Sequence, residues 1–351
     1  QLECWDDAAR LADAKWDRVM GEVWPEAQRH VAEELGSGRP DAVVFAANTH
    51  DFLIRLAAAA PRRADKAMRV LTTDGEFHSA RRQFARWVEG GEIEQTIVPT
   101  EPFGSLSERF LANARTGDFD LIVISQLLFG SGQVFGEVEE LARYANPAGP
   151  WVVVDGYHSF MAMETPLSPL VADRVFFLAG GYKYAMAGEG MGLMHCPPSF
   201  GERPPITGWF AEFEDLTLPR GQIGYAKDAM RFMGATFDPS ALYRWNGIRR
   251  MLAGEGLTTA VIGRQVERLQ HILLEKLAET PLADAELLNP LNKGPHARFL
   301  ALRHPRAAEW QAALKARDCI TDVRGDVLRI GLGLYHDDSD IHAFAELAAG
   351  V

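Results

Sequence analysis

The stretch Trp151-Val152-Val153-Val154-Asp155-Gly156-Tyr157-His158 runs four apolar residues straight into a carboxylate. A short apolar run closed by a glycine turn reads as a buried strand. In an open α/β sheet, ligands bind outside the carboxyl ends of the parallel strands, which is where Asp155 falls. The same residue also reads as the N-cap of a following helix, a common place for Asp. One strand and one turn later stands Ala179-Gly180-Gly181-Tyr182-Lys183-Tyr184. Lysine prefers solvent, and burial lowers its pKa toward the neutral amine that attacks carbonyls.

Working outward, further apolar runs stand at 42–45, 69–72, 94–98, 121–124, 174–178 and 191–195. Helix-spaced stretches fit between them at 51–60, 79–88 and 105–116. Together with 151–154 these make seven strands, several continuously apolar, as in a sheet covered on both faces. Alternating β and α over this length predicts an α/β domain with a large, mostly parallel, seven-stranded sheet. Upstream, Trp5, Ala8, Ala9, Leu11, Ala12, Trp16, Val19 and Met20 recur near helical spacing, and a second helix fits 26–35 before Gly36-Ser37-Gly38. Past Pro197-Pro198 the stretch 201–240 is loop-rich. A long helix at 257–279, strands at 298–302 and 327–330 and a helix at 339–349 complete a small α+β domain. The expected organisation is a helical segment at 1–20 packing with the small domain, a large domain at 21–250 and the small C-terminal domain at 251–351.

Charge narrows the function. The 351 residues carry 36 basic and 48 acidic side chains, net −12, which disfavours nonspecific nucleic-acid binding because that rests on a positive field. Cys4, Cys196 and Cys319 are too scattered for a disulfide framework or a zinc cluster, and Cys196, after a strand, reads as core. The ten histidines lack a compact ligand spacing, so no metal is expected. No apolar run approaches the roughly 20 residues that span a bilayer, and no signal peptide is visible. A soluble, cytoplasmic protein with no membrane partner is expected. The chain opens on Gln1 rather than Met, so further N-terminal sequence is expected.

An Asp that can pair with a pyridinium nitrogen, with a Lys on the next strand, is the arrangement a pyridoxal phosphate enzyme needs. At these residues the chain resembles the class V aminotransferase group of fold type I pyridoxal-phosphate enzymes, and most of all the kynureninases. Asp155-Gly156-Tyr157-His158 resembles that family's Asp-x-x-His, and Tyr182-Lys183-Tyr184 its Tyr-Lys-Tyr, whose Lys forms the aldimine with the cofactor. Gly208-Trp209-Phe210 is similar to its Gly-Trp-Phe, and Gln126 to Gln133 (QLLFGSGQ) to the loop that carries Tyr-Thr-Gly-Gln. The order and spacing of these short motifs carry the resemblance from about Trp16 onward.

The resemblance implies the rest of the site. Ala47-Asn48-Thr49-His50 lies between a strand and a helix, where free N–H groups suit a phosphate. In the family this turn cradles the cofactor phosphate, which implies Thr49 and the His50 backbone. Phe77 matches the ring that stacks on the pyridine, and Tyr182 a phosphate ligand. His158 is implied as a support for Asp155 and the ring. Trp209 and Thr236 match residues that reach the phosphate across a dimer interface, so a homodimer with shared active sites follows. Arg329, alone among the apolar residues of Val327-Leu328-Arg329-Ile330, suits a bidentate clamp on an amino-acid α-carboxylate. A structural ion pair would serve it equally well.

Departures bear on the substrate. Where kynureninases have Phe-Pro-Ser/Thr-Asp, this chain has Phe77-His78-Ser79-Ala80. Phe129 stands where Tyr is common, and Phe237-Asp238-Pro239-Ser240 lengthens the segment after Thr236. Seven residues, Asp322 to Leu328, precede Arg329 without a Cys, which speaks against desulfurase chemistry. The expected protein is a pyridoxal-phosphate-dependent enzyme acting on an amino acid through Lys183, with kynureninase-like Cβ–Cγ cleavage or related β-chemistry. Its preferred substrate is expected to differ from kynurenine. Aminotransferase, β-eliminating lyase and epimerase activities use the same core, and a non-catalytic binding descendant is the reading from a different class.

Overall fold

The apolar runs at the centre of the chain become one sheet because most have no polar face to show to water, while the run at 93–98 exposes Glu94, Thr96 and Ile97. The computed structural model describes residues 1–62, 66–212, 217–219, 221–292 and 294–351, so parts of the loop-rich 201–240 stretch lie outside it. The strands are β1 (Val43–Ala46), β2 (Met68–Thr73), β3 (Ile93–Val98), β4 (Leu121–Ser125), β5 (Trp151–Asp155), β6 (Val175–Gly180) and β7 (Gly192–His195). Their spatial order is β1-β7-β6-β5-β4-β2-β3. From β6 through β5, β4 and β2 to β3 every pairing is parallel. β7 alone is reversed, antiparallel to both β6 and β1. The expected strands are all present, with ends shifted by two residues at most.

Parallel pairing requires crossovers, and helices supply them. Thr49–Ala59 follows β1 and buries Phe52, Leu53, Leu56 and Ala57, one face at helical spacing. His78–Glu89 and Leu106–Thr116 follow β2 and β3. Behind β5 and β6, Trp151, Phe176, Phe200 and Phe232 form an aromatic cluster with ring centroids 4.9–6.1 Å apart.

The chain divides into two compact units. The larger comprises 1–126, 135–160 and 165–255, and the smaller 127–134, 161–164 and 256–351. Residues 1–20, expected against the small domain, are grouped instead with the larger unit. Tyr243 donates its hydroxyl to Asp7 at 2.7 Å, and Trp16 packs edge-on against Phe237 with ring centroids 5.6 Å apart. An amphipathic pattern shows that a helix has a buried face but not what covers it.

Within the smaller unit, β8 (Glu286–Leu287), β9 (Phe299–Arg303), β10 (Asp322–Arg324) and β11 (Val327–Gly331) form an antiparallel sheet in the order β10-β11-β9-β8. The long helix runs Thr259–Leu277 and the last one Asp338–Ala348. The loop at 127–134 belongs to this unit because Gln133 donates to the Leu288 carbonyl and Gly132 fits against Asn289. Gly132 has φ +71°, and a Cβ there would lie 2.3 Å from the Asn289 amide. Among the described residues no helix is long and apolar enough to cross a membrane.

Candidate active site

β5 delivers Asp155 to the carboxyl edge of the sheet, in register with Leu178 on β6. The strand ends cleanly because Gly156 N–H donates to the Leu178 carbonyl at 2.7 Å and Tyr157 N–H donates to the Asp155 carboxylate at 2.9 Å. Gly156 is required there, since a Cβ would stand 2.0 Å from the Phe177 ring. Burial pushes the Asp155 pKa up to about 6, and the Tyr157 N–H only partly opposes it. No ion pair to Asp155 is found among the described residues.

That carboxylate lines a cavity together with Thr49, His50, Leu53, Phe77, Ser79, Ala80, Val123 and Leu178. Four of the expected site residues, Thr49, His50, Phe77 and Asp155, therefore meet in one place. Ala80, one of the departures noted in the sequence, lies in the same wall. Helix Thr49–Ala59 begins here, and its cap Asn48 is in extended backbone with its side chain accepting Asp51 N–H at 3.0 Å. Helix geometry gives the N–H groups of Thr49 and His50 no acceptor within the helix. The buried Nδ1 of His50 also has no hydrogen-bond partner among the described residues. Gly192 on β7 lets Asn48 sit this close, for a Cβ would be 2.4 Å from the Asn48 carbonyl carbon.

The remaining residues fall into neighbouring groups. His158 is buried, with its ring centroid 6.1 Å from that of Phe77. Tyr182 and Lys183 lie on the turn after β6, with the Lys183 Nζ 5.9 Å from the Tyr182 ring centroid. That turn abuts Tyr157, because a Cβ on Gly180 would meet the Tyr157 ring at 2.3 Å. Trp209 and Thr236 are brought together by a 3.2 Å hydrogen bond from the indole N–H to the hydroxyl. They do not line the Asp155 cavity. Thr236 lines a second one with Ala47, Asp51 and Arg55.

Arg329 belongs to the smaller unit. Its guanidinium pairs with Asp322, its register partner on β10, and donates to the Phe129 carbonyl. The Phe299 and Phe129 rings lie 5.3 and 6.0 Å away. The ion-pair reading of Arg329 is thus realised by Asp322, and the departure at Phe129 lies against this same side chain.

Two polar residues escaped the reading of the sequence. Asp322 is seven positions from Arg329 and meets it only through strand pairing. Glu76 stands in the polar turn Asp74-Gly75-Glu76 and reads as surface, yet it is 1% exposed.

The donor set fits a pyridoxal phosphate group. A half-buried carboxylate lacking a cation among the described residues suits a protonated ring nitrogen, the start of a helix suits a phosphate, and Phe77 offers an aromatic ring in the same cavity.

Known proteins resemble this chain in family and fold. The family model described as Aminotransferase class-V matches residues 17–344. A probable cysteine desulfurase of Pyrococcus abyssi is 26% identical over 199 residues, covering 55% of this chain and 47% of that protein. A kynureninase of Geobacillus thermodenitrificans is 26% identical over 250 residues, covering 66% of this chain and 54% of that protein. The chain spans about half the length of these curated relatives. Among solved structures, a cystine C–S lyase in complex with its reaction product cysteine persulfide aligns with TM-score 0.80 at 17% identity, covering 99% of this chain and 92% of that one. At that identity the likeness speaks to the fold.

Proposed function

The chain belongs to the class-V aminotransferase family, and from that premise we propose an enzyme that acts on the β-carbon side chain of an amino acid in the manner of a kynureninase. Its cofactor is pyridoxal phosphate, which when bound supplies an electron sink conjugated to the substrate's Cα. The observation that carries the reading is Asp155: a carboxylate with no cationic partner among the described residues, in one cavity with Phe77 and the first turn of helix Thr49–Ala59.

Each side chain then has a task. Asp155 keeps the ring nitrogen protonated, because an opposite charge favours the protonated form. Phe77 lies against the ring, and the N–H groups of Thr49 and His50 hold the phosphate with the Tyr182 hydroxyl. Lys183 would be the residue that holds the cofactor covalently, and its amine would carry the proton to and from the substrate's Cα. Arg329 takes the substrate's α-carboxylate, which must compete with Asp322 for the guanidinium. His158 orients Asp155 and Phe77 and moves no proton. Trp209 and Thr236 serve the phosphate of a second copy in a homodimer.

Ala80 and Phe129 remove a carboxylate and a hydroxyl that a polar substrate would use. A site built to hydrogen-bond its substrate rejects an analogue lacking those groups by roughly 10⁴–10⁵-fold, and a site without them gives up that selectivity. The preferred substrate is therefore one other than kynurenine. Incubation with a panel of amino acids that includes kynurenine, with alanine, pyruvate and keto acids assayed together, tests both claims. Alanine from a 3-substituted amino acid supports β-cleavage, and pyruvate or a keto acid alone replaces it with β-elimination or transamination. Efficient kynurenine hydrolysis, saturating at micromolar substrate, overturns the substrate claim. A pure protein that stays colourless with added cofactor marks a binding descendant instead.

A further inference from the structure

A second carboxylate, fully buried where Asp155 is half-buried, stands near Asp155, and none of the roles above uses it. Glu76, on the turn after β2, accepts the Thr73 hydroxyl on one oxygen and the Ser125 hydroxyl on the other, both at 2.6 Å. Ser125 ends β4 and is paired in register with Asp155 at the end of β5. The two acids thus converge from the strands on either side of β4, β2 and β5, and the charge of Asp155 bears on Glu76. Other titratable groups nearby are Asp74, whose carboxylate accepts Thr100 N–H at 2.8 Å, and the two histidines beside Phe77. These are His78 and His158, with ring centroids 5.5 and 6.1 Å from that of Phe77. No cation pairs with Glu76 among the described residues.

A carboxylate buried without a cation relieves its desolvation by keeping a proton, and a like charge nearby adds to that preference. Hydroxyl donors offset part of the cost but bring no charge. In the same direction, burial and Asp155 raise the Glu76 pKa to about 7 against the two hydroxyls.

We propose that Glu76 is a positioning residue that holds a proton between Thr73 and Ser125, so that the pair carries one negative charge and that charge stands on Asp155. One of the two hydroxyl contacts is then reversed, with the carboxyl O–H donating to the hydroxyl oxygen. This rests on the assignment of Asp155 to the cofactor's ring nitrogen. When Glu76 loses its proton in alkali, a second negative charge arrives behind Asp155 and tightens its hold on the protonated ring.

Infrared difference spectra of the wild type and Glu76→Gln, taken at mildly acid pH with and without pyridoxal phosphate, read the proton directly. With cofactor bound, when a cationic ring keeps Asp155 ionised, the carbonyl stretch of an un-ionised carboxylic acid should be present in the wild type and missing from the variant; without cofactor Asp155 contributes a band of its own, and the variant should lose only the Glu76 share. A band that survives in the folded, cofactor-loaded variant, or never occurs in the loaded wild type, overturns the proposal. Should Glu76→Gln not fold, Ser125→Ala removes one hydroxyl partner and should shift the band; an unmoved band overturns the proposal too. In the loaded protein, the visible absorbance of the cofactor should show a pH step in the wild type that Glu76→Gln lacks. Identical titrations overturn the positioning role. A protein that takes up no cofactor while its infrared band is intact overturns the assignment of Asp155 and the positioning role with it. The surviving band tells that case apart.

Discussion

Asp155 is subject to two opposed demands on its proton. Burial favours the neutral acid, whereas a cationic ring nitrogen favours the carboxylate. Without cofactor only the first acts, and the pKa values of Asp155 and Glu76 rise to about 6 and about 7 from ordinary values of 3.8 and 4.5. A group whose folded pKa is raised contributes stability below its unfolded pKa and loses it as pH climbs through the folded one. The cofactor-free chain should therefore lose stability as pH rises from about 4 to about 7, and Asp155→Asn or Glu76→Gln should flatten that slope. Thermal unfolding across this range checks it, and a slope unchanged in both variants would remove these acids as its cause. Asp155→Asn should keep the fold yet lower turnover on the order of a hundredfold or more, as when one fixed electrostatic contact to developing charge is lost. Near-normal turnover would reduce Asp155 to a cap of the turn after β5, since no helix follows it for the N-cap role that the sequence also allowed. Borohydride reduction followed by peptide mapping should place the pyridoxyl label on Lys183, and label on another lysine refutes that assignment. Asp155 and Lys183 stand out in the sequence as candidates because each is a charged residue set close to an apolar run. Glu76 was not, because its neighbours Asp74 and Gly75 describe a surface turn, and only the strands packed over it exclude water.

Helix Thr49–Ala59 serves the site through its first turn, so its cap is the place to test it. Asn48→Ala removes the bond to Asp51 N–H and should cost about 1 kcal/mol of stability. The fraying that follows should also weaken cofactor binding, as read by titration of the visible band. Stability lost with cofactor affinity intact would mean the phosphate is held elsewhere. Gly208 joins two motifs that are far apart in sequence: a Cβ there would lie 2.4 Å from the Gly234 backbone. At this scale period and punctuation made the seven strands legible, but the reversal of β7 was not, since an apolar run looks alike in either direction. Helix Ser240–Gly254 was also missed. It carries Asn246 and Gly247 in its interior, and it is stabilised by burying Leu242, Tyr243 and Trp245, with the Asn246 side chain donating to the Val23 carbonyl at 2.9 Å. Those tertiary contacts override weak local propensity.

For the whole molecule the test is complementation. If Thr236 serves a partner's phosphate, then mixing an inactive Lys183→Ala chain with an inactive Thr236→Ala chain should restore part of the activity, since a heterodimer has one intact site. A fully active monomer would rule the shared site out. The reversed β7 has a different consequence, for the order in which the chain can be made. β1 lies at the edge of the sheet and pairs with β7 alone, Val43 opposite His195. At roughly 5–20 residues per second on the ribosome, the β7 that completes this pairing emerges on the order of ten to thirty seconds after β1. Throughout that interval Val43, Val44 and Phe45, all buried in the finished sheet, form an apolar strand without its mate. Such a segment is prone to pair with other chains, so the nascent polypeptide has good reason to be met by a chaperone.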